Sequence, residues 1–220
     1  MSSALLRTMG FAIAFGFASA VSGNDEAAPV QQPQVKVGDR WTYRYTDYPT
    51  NLPRISTSEM RVTSVEPDVI LIVHTHRNGR ETDSQWTPEW SAIASSRGRL
   101  YDPPQRLLQF PLKVGATYAY AYGIAATRGS SMRTRSEGAA TVTGWEDIVV
   151  PAGRFRALKV EAKGTYQRLD IGYVGWQRWE FWYVPEVKRW VKFTFESGPV
   201  ARPSTPSTKQ VDEMVEFKVQ

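Results

Sequence analysis

The chain has 220 residues, 27 lysines and arginines against 22 acidic residues, a formal net charge of +5 and a hydrophobic fraction of 41%. These values favour a folded globular domain and argue against general disorder. Cysteine is absent, which excludes disulfides, cysteine nucleophiles, thiolate metal sites and a lipid-modified N-terminal cysteine. The 16 glycines and 14 prolines favour many short elements joined by turns.

Residues 1–20 have the pattern of a secretory signal peptide. Arg7 precedes an uncharged apolar run over residues 9–18, and Ala18-Ser19-Ala20 gives the small-x-small pattern of a cleavage site. The run is too short to span a bilayer core of about 30 Å, which disfavours a retained anchor. We therefore expect cleavage after Ala20, a periplasmic or secreted product, and a disordered leader over the polar, proline-containing residues 21–34.

The rest of the chain has the alternating pattern of β-strands. Trp41, Tyr43 and Tyr45 alternate with polar residues, and the segment around Asn78-Gly79 predicts a hairpin over 69–85. Further strands are predicted at 117–123, 153–164, 176–184, 189–196 and 211–219. Residues 88–95 fit either a short helix or an irregular strand, and 197–208 fit a flexible connection. The fold predicted for 35–220 is a single, mainly β domain, either a strongly curved antiparallel sheet or an incomplete β-barrel.

Parts of the sequence repeat. Val35-Lys36-Val37-Gly38, followed by Trp41, matches Leu112-Lys113-Val114-Gly115, followed by Tyr118. Val62-Thr63 then matches Val142-Thr143, and Trp86 falls opposite Trp176. The order of the matches predicts two duplicated β-units, 35–109 and 110–196. Convergence is the alternative, because Lys-Val-Gly is a common entry into a strand.

Three ordered motifs resemble a family of uncharacterised secreted bacterial proteins catalogued as a domain of unknown function. They are FPLKVGATY at 110–118, VVPAGRFRALKV at 149–160 and EFWYVPEVKRWVKF at 180–193. Tyr118 stands where the family usually has tryptophan, and Lys188-Arg189 where it usually has glycine. The resemblance spans about residues 35–196 and implies an extracytoplasmic, mostly antiparallel β-fold. It implies no reaction.

Catalytic and metal-binding motifs are weak in this sequence. The two histidines, His74 and His76, share a strand face, and Glu81 and Asp83 follow across the predicted hairpin turn. A His/His/carboxylate site is geometrically conceivable, but the polar face of a hairpin explains the same residues. No G-x-S-x-G elbow, dinucleotide fingerprint or phosphate loop occurs. We therefore predict no metal, no cofactor and no catalytic residue, and a protein that is not an enzyme.

A first candidate binding surface lies on the aromatic segment 176–184. Trp176, Arg178, Glu180 and Trp182 share one face of the predicted strand, and the opposite face carries Trp179, Phe181 and Tyr183. Aromatic residues on both faces indicate either cover on both sides or a concave site on one. The first set predicts a groove lined by tryptophan and closed by an Arg–Glu pair, suited to an apolar or sugar-like ligand. A central strand packed under a loop is the alternative.

A second candidate surface is basic. Residues 97–136 contain seven basic residues and one acid, and six of the seven are arginine. Arg128, Arg133 and Arg135 lie in a Gly/Ser-rich segment, 123–138, that is predicted to be a mobile loop. Export disfavours nucleic acid, so the predicted partner is an anionic envelope surface, with vesicle binding that weakens as salt rises. The alternative is a solvated basic loop.

The function predicted from these features is exported, non-enzymatic binding of an apolar or anionic envelope component. The rival is an envelope scaffold that contacts another protein, and a hydrolase is a weaker third option. An enclosed apolar cavity would favour the binding protein, an exposed aromatic patch the scaffold, and a convergent polar cluster the hydrolase. Peripheral contact with a membrane surface is compatible with the basic segment; the oligomeric state is not predicted.

Overall fold

The computed structural model describes residues 28–48, 52–126, 133–201 and 207–220. The predicted signal peptide and the first residues of the predicted leader lie outside these ranges. Twelve antiparallel strands form a closed barrel in which each strand pairs with its neighbours in sequence and β1 pairs with β12. The strands are β1 Arg40–Asp47, β2 Arg54–Val65, β3 Ile70–His76, β4 Glu81–Trp86, β5 Ala92–Ala94, β6 Arg99–Gln105, β7 Thr117–Ala126, β8 Arg133–Val150, β9 Gly153–Arg168, β10 Tyr173–Val184, β11 Arg189–Pro199 and β12 Thr208–Lys218.

The prediction of a mainly β, antiparallel fold is confirmed, but the sheet is more complete than predicted. Arg40 pairs with Lys218 and Asp47 with Gln210, so β1 is paired with β12 along its whole length. Closure removes both sheet edges, which would otherwise expose unpaired amide and carbonyl groups. The predicted hairpin around Asn78-Gly79 is confirmed, with Gly79 at φ 78°.

Several local predictions differ from the structure. Residues 88–95 contain no helix; they form a turn and the short strand β5. The loop predicted at 123–138 is wrong where it is described, because β7 continues to Ala126 and β8 begins at Arg133. In the predicted leader, Val30 pairs with Leu112 through two backbone hydrogen bonds of 2.9 and 2.8 Å. The leader is therefore ordered at this point, where Val30 packs against the core.

The up-and-down order gives the barrel two distinct ends. We call the end with the turns after the odd-numbered strands the upper end, and the end with the turns after the even-numbered strands the lower end. The lower half is filled by a hydrophobic core that includes Trp41, Val62 and Leu158. Leu108 and Leu112, from the connection between β6 and β7, are also buried there. The lower end is thus packed with side chains, and a ligand space can exist only above it.

The two halves of the barrel share a turn geometry. Gly38 and Gly115 both have positive φ, and their amides donate to the carbonyl oxygens of Val62 and Val142 at 2.9 and 2.8 Å. Each valine amide in turn donates to the residue after the glycine, at 2.9 Å in both halves. β2 and β8 also shift register just after these valines. These contacts place the first two matched motifs at equivalent positions, six strands apart.

The third match is not equivalent. Trp86 lies at the lower end of β4 and lines the barrel interior, whereas Trp176 lies near the upper end of β10 on the alternate face from the interior residue Gln177. The predicted repeat boundaries also leave out β12, which a second six-strand half requires. Duplication of a six-strand unit therefore stays a prediction.

Candidate functional site

A cavity of about 970 Å³ occupies the barrel above the core. It is lined by inward-facing side chains of alternate residues, such as Tyr43 and Tyr45 on β1, Ser56 and Ser58 on β2, and Gln177 on β10. Cavities of this size hold small organic ligands. The fold thus provides an interior space, and its lining changes from aromatic at the floor to polar and basic near the upper end.

The floor of the cavity is an aromatic cluster. Trp86, Trp90 and Trp190 lie with ring centroids 5.9 to 6.2 Å apart, and Phe181 packs on Trp190 at 5.3 Å. These separations are typical of edge-to-face and tilted aromatic contacts. The rings are held by packing against one another, so the floor is a preformed apolar surface.

Trp90 has an unusual backbone at this floor. Its φ is 60°, in the left-handed region that a bulky side chain rarely adopts. Its indole nitrogen donates to the carbonyl oxygen of Lys188 at 2.7 Å, and its amide donates to that of Thr87 at 2.9 Å. Such outliers persist where the surrounding structure determines them. These hydrogen bonds keep the Trp90 ring under the cavity.

Arg189, the first residue of β11, is buried inside the aromatic floor at 1% exposure. Its guanidinium carbon lies 4.0 to 5.4 Å from the ring centroids of four tryptophans, which we call the indole cage: Trp41, Trp86, Trp90 and Trp190. Burial lowers the pKa of Arg189, and the tyrosines Tyr43 and Tyr45 oppose that shift. Arginine nevertheless keeps its charge in proteins. The floor therefore contains a positive charge surrounded by ring faces.

The upper part of the cavity is basic. Apart from Arg189 at the floor, five described lining residues carry positive charge and two are acidic: Arg54, Arg80, Arg97, Arg99 and Lys209, against Asp47 and Asp212. Arg97 approaches Asp47 at 3.9 Å, and Lys209 pairs with Glu196 at 3.2 Å. Since cations outnumber acids along the wall, the cavity favours anionic over cationic ligands.

His74 belongs to a buried polar network on the cavity wall. The hydroxyl of Ser84 lies 2.7 Å from His74 Nε2 and accepts a hydrogen bond of 2.9 Å from the indole of Trp86. Burial, together with the positive charges of Arg189 and His76, lowers the pKa of His74 to about 4. A histidine that remains neutral at such low pH is a weak base, and the charges acting on it are not those of an orienting carboxylate. The hydrogen bond between His74 and Ser84 therefore fits a structural role better than that of a catalytic dyad.

The two histidines share one face, as predicted, and both line the cavity. His76 bonds Thr82 at 3.1 Å, across the hairpin. Glu81 and Asp83 alternate with the inward residues of β4 and therefore lie on the outer face, where Glu81 accepts a hydrogen bond from Thr75. Within the described ranges no three His, Asp or Glu side chains come together as metal ligands. The conceivable His/His/carboxylate site is not assembled, because its carboxylates face the other way.

Asp212 is a second buried ionisable group in the cavity. It is 7% exposed and accepts hydrogen bonds of 2.8 and 3.0 Å from Gln210. Burial, together with the charge of Asp47, raises its pKa to about 7. The folded protein therefore favours the protonated form of Asp212, so its contribution to stability is present below the unfolded pKa of 3.8 and is lost as pH rises to about 7.

Asp212→Asn should remove that pH dependence. Between pH 4 and 7 the free energy of unfolding of the wild type should fall, relative to the variant, by at most about 1.4 kcal/mol per pH unit. His74 acts in the opposite direction over the same range, since its lowered pKa costs stability as pH falls, but it is common to both proteins. Urea unfolding of both proteins across this range measures the difference. Parallel stability curves would contradict the assignment.

The four predicted ligand-binding residues on β10 lie outside the cavity. Its lining on this strand is Gln177, Trp179 and Phe181, while Trp176, Arg178, Glu180 and Trp182 occupy the outer face. There Arg178 pairs with Glu196 at 2.8 Å, and the Trp182 indole donates to Glu146 at 2.9 Å. Glu180 pairs with Lys159 at 3.2 Å instead of closing a groove with Arg178. The strand was predicted correctly, but the face that lines a concave space is the alternate one.

The predicted anion-binding arginines are not on a described loop. Arg133 and Arg135 are exposed on the outer face of β8, at its upper end. Arg128 lies outside the described residues. Thr134 and Ser136, which alternate with the two arginines, are buried. The two described arginines are therefore on a strand at the same end of the barrel as the basic part of the cavity.

Sequence reasoning missed the two features that define the cavity, Arg189 and the polar inner face of β2. An arginine at the start of the aromatic segment RWVKFTFE was the available indication of the first. Ser56 and Ser58 gave no comparable indication, because polar residues that face a cavity look like the solvent-facing residues of an ordinary strand.

No helix in the described ranges is both long and apolar enough to span a bilayer. Comparison with family models and with curated protein sequences finds no match. Two solved structures match the chain. One is a candidate lipoprotein of Parabacteroides distasonis, with a TM-score of 0.52 and 14% identity over 87% of this chain and 100% of that one. The other is a candidate exported protein of Bacteroides fragilis described as having a YmcC-like fold, with a TM-score of 0.41 and 12% identity over 86% of this chain and 99% of that one. At these identities the first likeness supports the fold alone.

Proposed function

We propose that this protein is an exported, non-enzymatic binding protein that holds a small apolar or amphipathic molecule inside its barrel. The observation that carries the proposal is the cavity of about 970 Å³, with its aromatic floor and its basic, polar upper wall. A concave interior space that is open to solvent on one side is typical of a ligand-binding protein and is not needed by a scaffold. Export is supported by the signal-peptide pattern of residues 1–20 and agrees with the description of the structurally similar Parabacteroides protein as a candidate lipoprotein.

Contact with an anionic envelope surface is the second part of the proposal. Large apolar side chains are exposed at the upper end, including Leu52 at 77%, Ile55 at 66% and Ile171 at 63%. Arg133 and Arg135 are exposed at the same end. Apolar residues beside arginines are suited to a surface that carries anionic headgroups. Binding to anionic vesicles that weakens as ionic strength rises would support this contact. No binding at any ionic strength would contradict it.

A neutral fluorescent probe tests the cavity itself. N-phenyl-1-naphthylamine should bind the wild type saturably, with one site per chain. Ser58→Trp places an indole in the cavity, because Ser58 is a buried lining residue, and should weaken binding at least about tenfold. Thr57→Trp adds the same group to the opposite face of β2 and should leave the affinity unchanged.

The outcome against the proposal is equally specific. If the wild type gives no saturable signal, or if Ser58→Trp and Thr57→Trp bind the probe alike, the cavity is not the binding site. Circular dichroism of both variants verifies that the barrel has formed before the titrations are compared.

A further inference from the structure

The guanidinium of Arg189 has unused hydrogen-bond donors. Its Nε and Nη1 are buried, and neither has a hydrogen-bond partner among the described residues. A buried donor without a partner is unfavourable, and more so when the group is charged. Indole rings stabilise the charge through their faces but do not accept the in-plane N–H groups as a carboxylate does. The cage thus stabilises the cation and Tyr43 shares a hydrogen bond with the guanidinium, but Nε and Nη1 stay without partners among the described residues.

Among the described residues, no carboxylate forms an ion pair with the buried charge of Arg189. The acid that acts on it electrostatically is Asp212, but the described ion pairs do not join the two, and Asp212 is bonded to Gln210. Two other cavity cations do have carboxylate partners, since Arg97 approaches Asp47 and Lys209 pairs with Glu196. An unpaired buried charge is strongly unfavourable unless something pairs with it.

From this arrangement we infer that Arg189 and the indole cage form an anion subsite at the cavity floor, which binds the carboxylate of a ligand with an apolar body. The inference rests on the proposed function and names the class of its ligand. A carboxylate oxygen can accept a charge-assisted hydrogen bond from Nε or from Nη1, which point to different edges of the guanidinium, and the surrounding rings hold the atoms next to it. Both nitrogens are buried under the cage, so the inference requires one of its indole rings to change position when the carboxylate binds.

The lining above Arg189 agrees with this ligand class. Phe181, Phe193 and Trp179 provide apolar wall next to the floor, and the cations near the upper end attract an anion as it enters. A ligand with its carboxylate at the floor places its body against these rings. A neutral ligand of the same shape would leave Nε and Nη1 of Arg189 without an anionic acceptor. A site with buried polar groups discriminates strongly against a ligand that leaves those groups unpaired.

Isothermal titration of 4-phenylbutyrate and 4-phenyl-1-butanol tests the inference, since the two differ only in the carboxylate. The wild type should bind the acid at least about tenfold more tightly than the alcohol, a difference of about 1.4 kcal/mol. Arg189→Met keeps an unbranched side chain but removes the donors, and the preference should disappear while alcohol affinity is retained. Arg178→Met is the matched control, because Arg178 lies on the outer face of the barrel, and it should keep the preference.

Three outcomes of these titrations would contradict the anion subsite. If the wild type binds the acid and the alcohol equally, the anion subsite is wrong, whether or not Arg189→Met folds. If Arg189→Met folds and keeps the preference, or if Arg178→Met loses it, the selectivity comes from elsewhere and the inference is also wrong. If neither the alcohol nor the neutral fluorescent probe binds the wild type, the proposed function itself fails; if they bind and only the preference is missing, the proposed function stands.

Discussion

Replacing Asp39 by alanine should destabilise the barrel by about 3–5 kcal/mol, because it breaks a buried ion pair and leaves its partners unmatched. Asp39 is 0% exposed, and its carboxylate accepts hydrogen bonds from the amides of Lys36 and Gln220 at 2.9 and 2.8 Å. The ammonium of Lys188 lies 2.9 Å from the same carboxylate and also donates to the Gln220 carbonyl oxygen at 2.7 Å. One side chain thus ties the entry to β1, the end of the chain and the turn before β11 at the lower end.

A double-mutant cycle separates the ion pair from the amide bonds. Lys188→Met removes the cation alone, and Asp39→Ala combined with Lys188→Met should be less destabilised than the two single effects predict together. Urea unfolding provides the free energies. A cost for Asp39→Ala of less than about 1 kcal/mol, typical of exposed pairs, would contradict the role assigned to this carboxylate.

Gly164→Val should have an effect of similar or larger size, about 4 kcal/mol or more, which is exceptional for one substitution. Gly164 on β9 pairs with Gly138 on β8, and the Tyr120 hydroxyl lies over both. A β-carbon at Gly164 would collide with the carbonyl oxygen of Glu137 and with that hydroxyl. Because one obstacle is backbone, the strand itself would have to shift.

Ala139→Val is the matched control for this position. Ala139 neighbours Gly138 on β8 but is exposed on the outer face, so the added methyl groups should change the free energy of unfolding by no more than about 0.5 kcal/mol. Thermal unfolding of the two variants compares them directly. Equal melting temperatures for Gly164→Val and the wild type would show that the close approach of β8 and β9 is not a constraint on the sequence.

The sequence predicts the fold best where a strand has one apolar face and one polar face. β1 alternates tryptophan and tyrosine with polar residues because Trp41 and Tyr43 face the buried lower half. The contrast disappears at the upper half, where the interior is a cavity. Ser58 is buried on β2 and Ser136 on β8, yet both have the composition of a solvent-facing position or a loop. For that reason the sequence predicts a loop where the upper segment of β8 begins at Arg133.

Barrel closure and the site depended on information that single strands do not carry. The pairing of Arg40 with Lys218 joins residues from opposite ends of the chain, and no local pattern specifies it. On β10 the alternation of residues predicts the strand and its two aromatic faces. Which of the two faces lines the interior depends on the direction in which the sheet curves. Trp179 therefore lines the cavity, while Trp182 packs against Lys159 outside.

Native mass spectrometry of the wild type and Ser58→Trp, purified from the compartment to which the host exports them, tests the central claim of a ligand-filled barrel most directly. The account predicts one small-molecule adduct per wild-type chain, identified after release as a carboxylate with an apolar body, and its loss in Ser58→Trp. A wild type that carries no adduct and takes up neither the neutral probe nor 4-phenylbutyrate, or an adduct retained equally by Ser58→Trp, would contradict it.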